Sequence, residues 1–320
     1  MSKIKIVPSM KDDIDEDCCW SASFNLAWDK FQNKYLTNNF ESNNLTIKNL
    51  VDSANNKLIF NDNDFIFEAK EKSPLLKEKL KKSIEDNFES PTDFLNNINF
   101  ENNNILLFGM NKFELDFSVS YENMDLSKFG NYKRNVKYFG FHQDYTKYNE
   151  QITPLFYADK HDFAVFLSSI TNHSIILYRT DLNDNFENVF KHLQQKIDEA
   201  SVGEYSLSIS TFACPKIKIN LIENHSEITG KEFISNENET LKIDEALQNF
   251  SFELNEKGEK DKSETVISLN EIDCFAHPLQ TNYRDFIFNN QFYIFVFDED
   301  CVNLDSPICA VKVKNIEKFI

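Results

Sequence analysis

The sequence predicts an α+β fold in which strand-like stretches surround a few amphipathic helices, and two observations carry that prediction. The first is a recurrent two-residue period. Phe250, Phe252 and Leu254 alternate with Ser251 and Glu253, and residues 205–210 (YSLSIS) and 216–220 (KIKIN) alternate in the same way. The second is one long interruption. From Asn255 to Glu264 no residue is apolar, and Glu256, Lys257, Glu259, Lys260, Asp261, Lys262 and Glu264 crowd around the single Gly258. Such a segment cannot bury itself and is expected to be a solvent-exposed loop. Beyond it, residues 265–269 (TVISL) are β-branched and apolar, and 286–297 (FIFNNQFYIFVF) carry the strongest strand signal in the chain. The local order is strand, exposed loop, strand.

Taken in order, the chain opens with Trp20, Phe24, Ala27, Trp28, Phe31 and Tyr35 on one helical face, with Asp17 as the expected N-cap. A polar connection over 37–49 leads to a strand-and-turn region at 53–67. Leu75, Leu76, Leu80 and Ile84, separated by lysines and glutamates, predict an amphipathic helix. Residues 104–117 (NILLFGMNKFELDF), 136–141, 162–167 and 174–178 read as strands, the last running into a loop at 179–184. Phe186, Val189, Phe190, Leu193 and Ile197 then line a helix. No internal repeat competes with this reading.

With 320 residues, 41% of them apolar and 31 of them Phe, the chain can bury a large core. The abundance of Phe and Asn is also what AT-rich coding produces, so an isolated Phe stripe says less than usual. The net charge of −18 excludes duplex nucleic acid and anionic membrane surfaces as partners, because both are polyanions that need a basic patch. The first residues, MSKIKIVPSMKDDIDEDCC, lack the apolar centre of a secretory signal, and no apolar run is long enough to span a bilayer. A cytoplasmic protein is expected. Cys18, Cys19, Cys214, Cys274, Cys301 and Cys309 should then be reduced thiols, and no CxxC or histidine clustering suggests zinc or another cofactor.

Three motifs, in order, resemble the serpin family. The stretch Glu256-Lys257-Gly258-Glu259-Lys260 resembles the E-x-G hinge that opens the serpin reactive-centre loop, and Phe288 to Phe295 resembles the F-x-x-x-P-F-x-F return strand. Residues 306–315 (SPICAVKVKN) resemble the closing S-P-L-F-x-G-K-V-x-N strand. Weaker likenesses cover 53–67 (A-N-x-L-F) and 87–94, the latter resembling the E-x-x-D-F edge strand, and 104–117 resembles a central-sheet strand. The resemblance implies one domain over 1–320, with a large mixed or antiparallel central sheet, a smaller second sheet, packed helices and a loop at about 256–285. It also implies deletions. The chain passes almost directly from Phe94 to Asn104, where the family carries a helix. At the positions of the Asn and His that lock the serpin sheet, and of the Trp at its mouth, stand Gly109, Gln248 and Phe117, so that lock is expected to be lost.

An inhibitory serpin inserts its cleaved loop as a new strand and traps the protease as an acyl-enzyme. Counted from Gly258, the inward residues would be Glu259, Asp261, Ser263 and Thr265, where trapping members place small residues. Protonating a carboxylate of ordinary pKa at pH 7 costs about 4 kcal/mol, so insertion is expected to be impaired. The expected activity is that of a monomeric, non-inhibitory or weakly inhibitory protein-binding module. The alternative is a cross-class inhibitor of a cytosolic caspase-like cysteine protease, and a protease, caspase-like or serine, is the partner that the resemblance implies. In that reading the bait is Ile272-Asp273-Cys274, cut near Asp273-Cys274, which resembles the poxvirus cytokine-response-modifier serpins. Arg284, a trypsin-like bait by residue type, sits close to the return strand.

An enzyme reading rests on Cys19-Trp20, which resembles the papain C-W pair, with His173 about 150 residues on. Papain-like chemistry needs Gln at position 13, where Asp stands. The acidic run Asp12, Asp13, Asp15, Glu16 and Asp17 would also raise the thiol pKa. Cys19 is therefore expected to be structural and the chain not an enzyme.

Overall fold

The structure is a computed structural model of the chain. It describes residues 4–37, 42–54, 63–124, 128–132, 134–143, 145–171, 173–201, 207–257, 282–298 and 306–319. The described helices are α1 (Ala22–Tyr35), α2 (Leu45–Ala54), α3 (Pro74–Phe88) and α4 (Phe186–Ser201). The strands begin with β1 (Lys5–Ile6), β2 (Cys18–Ser21), β3 (Phe65–Glu71), β4 (Ile105–Glu114), β5 (Glu122–Met124) and β6 (Tyr138–His142). They continue with β7 (Ile152–Asp159), β8 (Asp162–Ser168), β9 (His173–Arg179), β10 (Leu207–Pro215) and β11 (Ile217–Asn224). The last are β12 (Glu232–Ile234), β13 (Thr240–Leu254), β14 (Asn282–Ile287), β15 (Phe292–Asp298) and β16 (Cys309–Val313).

These strands form three sheets rather than the expected two. The sheet that contains β13 is mixed, in the order β11-β13-β4-β3, with β12 paired to β13. The largest has seven strands, β1-β2-β16-β15-β9-β8-β7, and the third has four, β14-β10-β6-β5. In β4 the alternation sets both faces. Ile105 and Leu107 join Phe24, Trp28 and Phe31 of α1 and Leu50 of α2. Leu106, Phe108 and Met110 instead join Leu76, Leu80, Ile84 and Phe88 of α3. This sheet is thus covered by helices on both sides, which is why β4 reads as an almost unbroken apolar run.

Several local expectations are corrected. Helix α1 begins at Ala22 and is capped by Ser21, whose side chain accepts from the Ser23 N–H. Trp20 belongs to β2, and its indole N–H donates to Asn25 Oδ1 at 2.8 Å. Asp17, buried, instead accepts from the Lys314 and Asn315 N–H groups and pairs with Lys318 at 2.7 Å. The polar connection contains α2, started by Asn44, whose Oδ1 accepts from the Ile47 N–H at 3.1 Å. The buried stripe of α3 is Leu76, Leu80, Ile84 and Phe88, while Leu75 is 79% exposed.

The edge strand expected at 87–94 is absent. Helix α3 runs through Phe88, turns at Glu89 in a left-handed conformation (φ 47°) and, after Pro91, is followed by a 3-10 turn at Asp93–Asn97. That turn is the only described helical element between α3 and β4, as the expected helix deletion requires. The run 286–297 is two strands, not one. Strand β14 pairs with β10 in the four-stranded sheet, and β15 lies between β16 and β9 in the seven-stranded sheet. Asn289 and Asn290 make the break: Gly130 N–H donates to Asn289 O at 2.7 Å, and Asn290 Oδ1 accepts from Gln291 N–H at 2.9 Å. Every residue of β15 is buried, which explains the strength of its signal. The strand expected at 265–269 lies outside the described residues.

Candidate functional site

Strand β13 ends at Leu254, just before the stretch expected to be the loop, and its last residues alternate between two faces. Phe250, Phe252 and Leu254 are buried in the main core, while Ser251 and Glu253 on the other face are half-buried. Beside it runs β4, parallel and paired directly, from Ile243 opposite Ile105 to Glu253 opposite Glu114. This seam is closed over the length of β4. A strand entering the sheet here would have to part it.

The described part of the expected hinge, Glu256 and Lys257, is tied down from two sides. Phe117 N–H donates to Lys257 O at 3.0 Å, and Tyr121 N–H donates to Glu256 O at 3.1 Å. The Glu256 carboxylate meets Lys216 Nζ at 2.6 Å; partial burial works against its charge, but the Lys216 hydrogen bond prevails and holds its pKa below the ordinary value. Glu253 pairs with Lys218 at 2.7 Å and with Lys257 at 3.6 Å. Phe117, expected at the sheet's mouth, is buried with its ring 4.9 Å from that of Tyr121. Sequence reasoning found Glu256 and Phe117 but not Lys216 or Tyr121, which come from distant segments.

Halfway down the seam, Gly109 of β4 stands opposite Gln248 of β13. A Cβ on Gly109 would lie 2.7 Å from Ser23 C and 2.8 Å from Phe24 N, so the start of α1 rests directly on the sheet. Gln248, fully buried, donates through Nε2 to Ser21 O and Ser23 Oγ, both at 3.3 Å. Its Oε1 lies 3.0 Å from His225 Nε2, and because the amide nitrogen is committed as a donor, the imidazole N–H donates. Burial lowers the His225 pKa to about 4, so the ring is neutral at pH 7. Neither the Asn nor the His of the family's lock stands at Gly109 or Gln248. A different set of residues, Gln248, His225, Ser21 and Ser23, makes one.

Of the predicted loop residues, Glu256 is described. Gly258, Glu259, Asp261, Ser263, Thr265, Ile272, Asp273 and Cys274 lie outside the described residues. Arg284 is not on a loop but within β14, opposite Ile209 of β10.

The papain-like pair is separated. Cys19 on β2 and His173 on β9 are divided by β16 and β15, three strand spacings or about 14 Å across the sheet, and Cys19 lies in register with Leu177, four residues along β9 from His173. Complete burial pushes the Cys19 thiol well above its ordinary pKa, and its Sγ lies 3.8 Å from Lys5 O. His173 instead faces Asp64 at 3.1 Å. Among the described residues no group of His, Cys, Asp or Glu could hold a metal ion.

No family model and no curated protein matches the sequence. Solved structures match the shape. Serpin48, described as a highly specific serpin of the insect Tenebrio molitor, superposes with a TM-score of 0.50 at 12% identity, covering 96% of this chain and 95% of that one. Thyroxine-binding globulin in complex with thyroxine gives 0.53 at 11% identity, covering 94% and 93%. The thermophilic serpin tengpin, in its native state, gives 0.52 at 13% identity, covering 98% and 97%. The chain has the serpin fold.

Proposed function

We propose that this serpin-fold chain is a monomeric, cytoplasmic protein-binding module that presents its loop to a protein partner and inserts that loop poorly or not at all. The observation that carries the reading is that both alternating sets of residues after the hinge are charged. One set holds Glu259 and Asp261 with Ser263 and Thr265; the other holds Lys260, Lys262 and Glu264. Whichever set turned toward the core, charge would be buried. Neutralising one carboxylate at pH 7 costs about 4 kcal/mol and one lysine about 5 kcal/mol. Two such groups cost roughly 8 kcal/mol or more, comparable to the stability of a whole domain. Insertion would also have to part β13 from β4 and release Glu256 and Lys257 from Tyr121, Phe117 and Lys216. Four buried, unpaired cysteines suit a reducing compartment.

A second reading follows from the sequence Glu271-Ile272-Asp273-Cys274, an acidic stretch with Asp before a cut. In it the same loop is the bait of a caspase-like protease, cut after Asp273.

Both readings are tested by incubation with a panel of serine proteases and caspases, followed by gel and by mass of the released fragments. The module reading predicts loop cleavage with no SDS-resistant adduct. An adduct, together with a large rise in melting temperature, would overturn it. A stable adduct formed only with the caspases and joined through Asp273 would favour the second reading, in which the chain inhibits a caspase-like protease.

A further inference from the structure

Beside Glu256 and Lys257 lies a cavity of about 830 Å³, bounded by the end of β13, the start of β11, Tyr132, Arg134, Asn135, Lys137 and the C-terminal turn. Its size falls within the range of small-molecule sites, which reach about 1,000 Å³. Ile217, Leu254, Phe319 and Tyr132 make its apolar side. Its polar side is cationic, in a chain whose net charge is −18. Of the lysines that line it, Lys216 is engaged by Glu256, and Lys218 and Lys257 by Glu253. Arg134 and Lys137 make no ion pair among the described residues, and the one further carboxylate on the wall is Glu317.

An apolar wall facing cations that have no ion pair among the described residues fits a ligand with an apolar body and one anionic head. A polyanion does not fit, because the rest of the surface would repel it. From this we infer that the cavity binds a small organic anion, such as a medium-chain carboxylate, with Arg134 and Lys137 taking the head group and Ile217, Leu254 and Phe319 the body. Arg134 offers a forked pair of N–H donors to a carboxylate, whereas Lys137 acts as a point charge.

The probe is 1-anilinonaphthalene-8-sulfonate, itself an apolar body with one anionic group, titrated into the full chain and followed by fluorescence. The expected result is saturable one-site binding that decanoate displaces and decanol, of the same length but uncharged, does not. The double substitution Arg134→Ala/Lys137→Ala, at two exposed positions, should weaken the probe about tenfold or more, while circular dichroism stays unchanged. A second variant, Ile217→Asp, should abolish binding from the apolar side. Equal displacement by decanol and decanoate, or an unchanged dissociation constant in the double variant, would overturn the inference, as would non-saturable binding.

Discussion

Gln248 shows how a single buried amide can organise a sheet. Its three polar contacts reach β2, the start of α1 and the turn after β11, so it joins segments that are more than 200 residues apart in the chain. Gly109 across the seam permits this arrangement, since any side chain would press into the backbone of Ser23 and Phe24. Gly109→Ala should therefore cost about 1–3 kcal/mol of stability, measured by urea unfolding, as overpacking does. His225 adds a pH dependence. The folded ring titrates at about 4 and the unfolded ring near 6.5, so as pH falls the unfolded state takes up the proton first. Stability from the neutral ring is complete above about pH 6.5 and is lost, to the extent of about 3 kcal/mol, as pH falls to about 4. Unfolding curves at pH 7, 5.5 and 4.5 should show a shallower loss in His225→Gln than in the parent chain. This junction was not legible in the sequence. Gly109 and Gln248 looked like the loss of a lock, and nothing in the spacing announces that His225 arrives from a neighbouring turn.

At the scale of elements, periodicity located most strands and the larger helices, because burial on one face leaves a two- or 3.6-residue trace. It failed where polar contacts rather than burial decide the boundary. Ser21, not Asp17, caps α1, and Asn289 with Asn290 splits a run of aromatic residues into strands of two sheets. Helix α2 was legible in Asn44, Ile47, Leu50 and Val51 but was hidden in a polar stretch. The proposed function turns on the stretch after β13, of which Glu256 and Lys257 are described. If the carboxylates after Gly258 are what prevent insertion, Glu259→Ala/Asp261→Ala should change the outcome of cleavage. After a cut within 266–281, the variant should gain melting temperature that the parent chain does not gain. Equal behaviour of the two would assign the barrier to the β13–β4 seam or to the hinge ties instead.

For the whole molecule, the sequence carried the fold further than overall similarity did. Identity to matching structures is 11–13%, yet three short motifs in order pointed to the architecture that those structures share. The division into three sheets was not legible, because which strands pair across long separations leaves little trace in local alternation. The proposed poor insertion rests, at this scale, on the closed β13–β4 seam and on the charged residues that follow β13 in the sequence. The central claim, that the loop-out state is the stable one even after the loop is cut, is tested by melting the protein before and after nicking within 266–281 by a broad-specificity protease. The account predicts a shift of no more than about 5 °C, whereas a rise beyond about 15 °C would show that a new strand had entered between β4 and β13 and would contradict it.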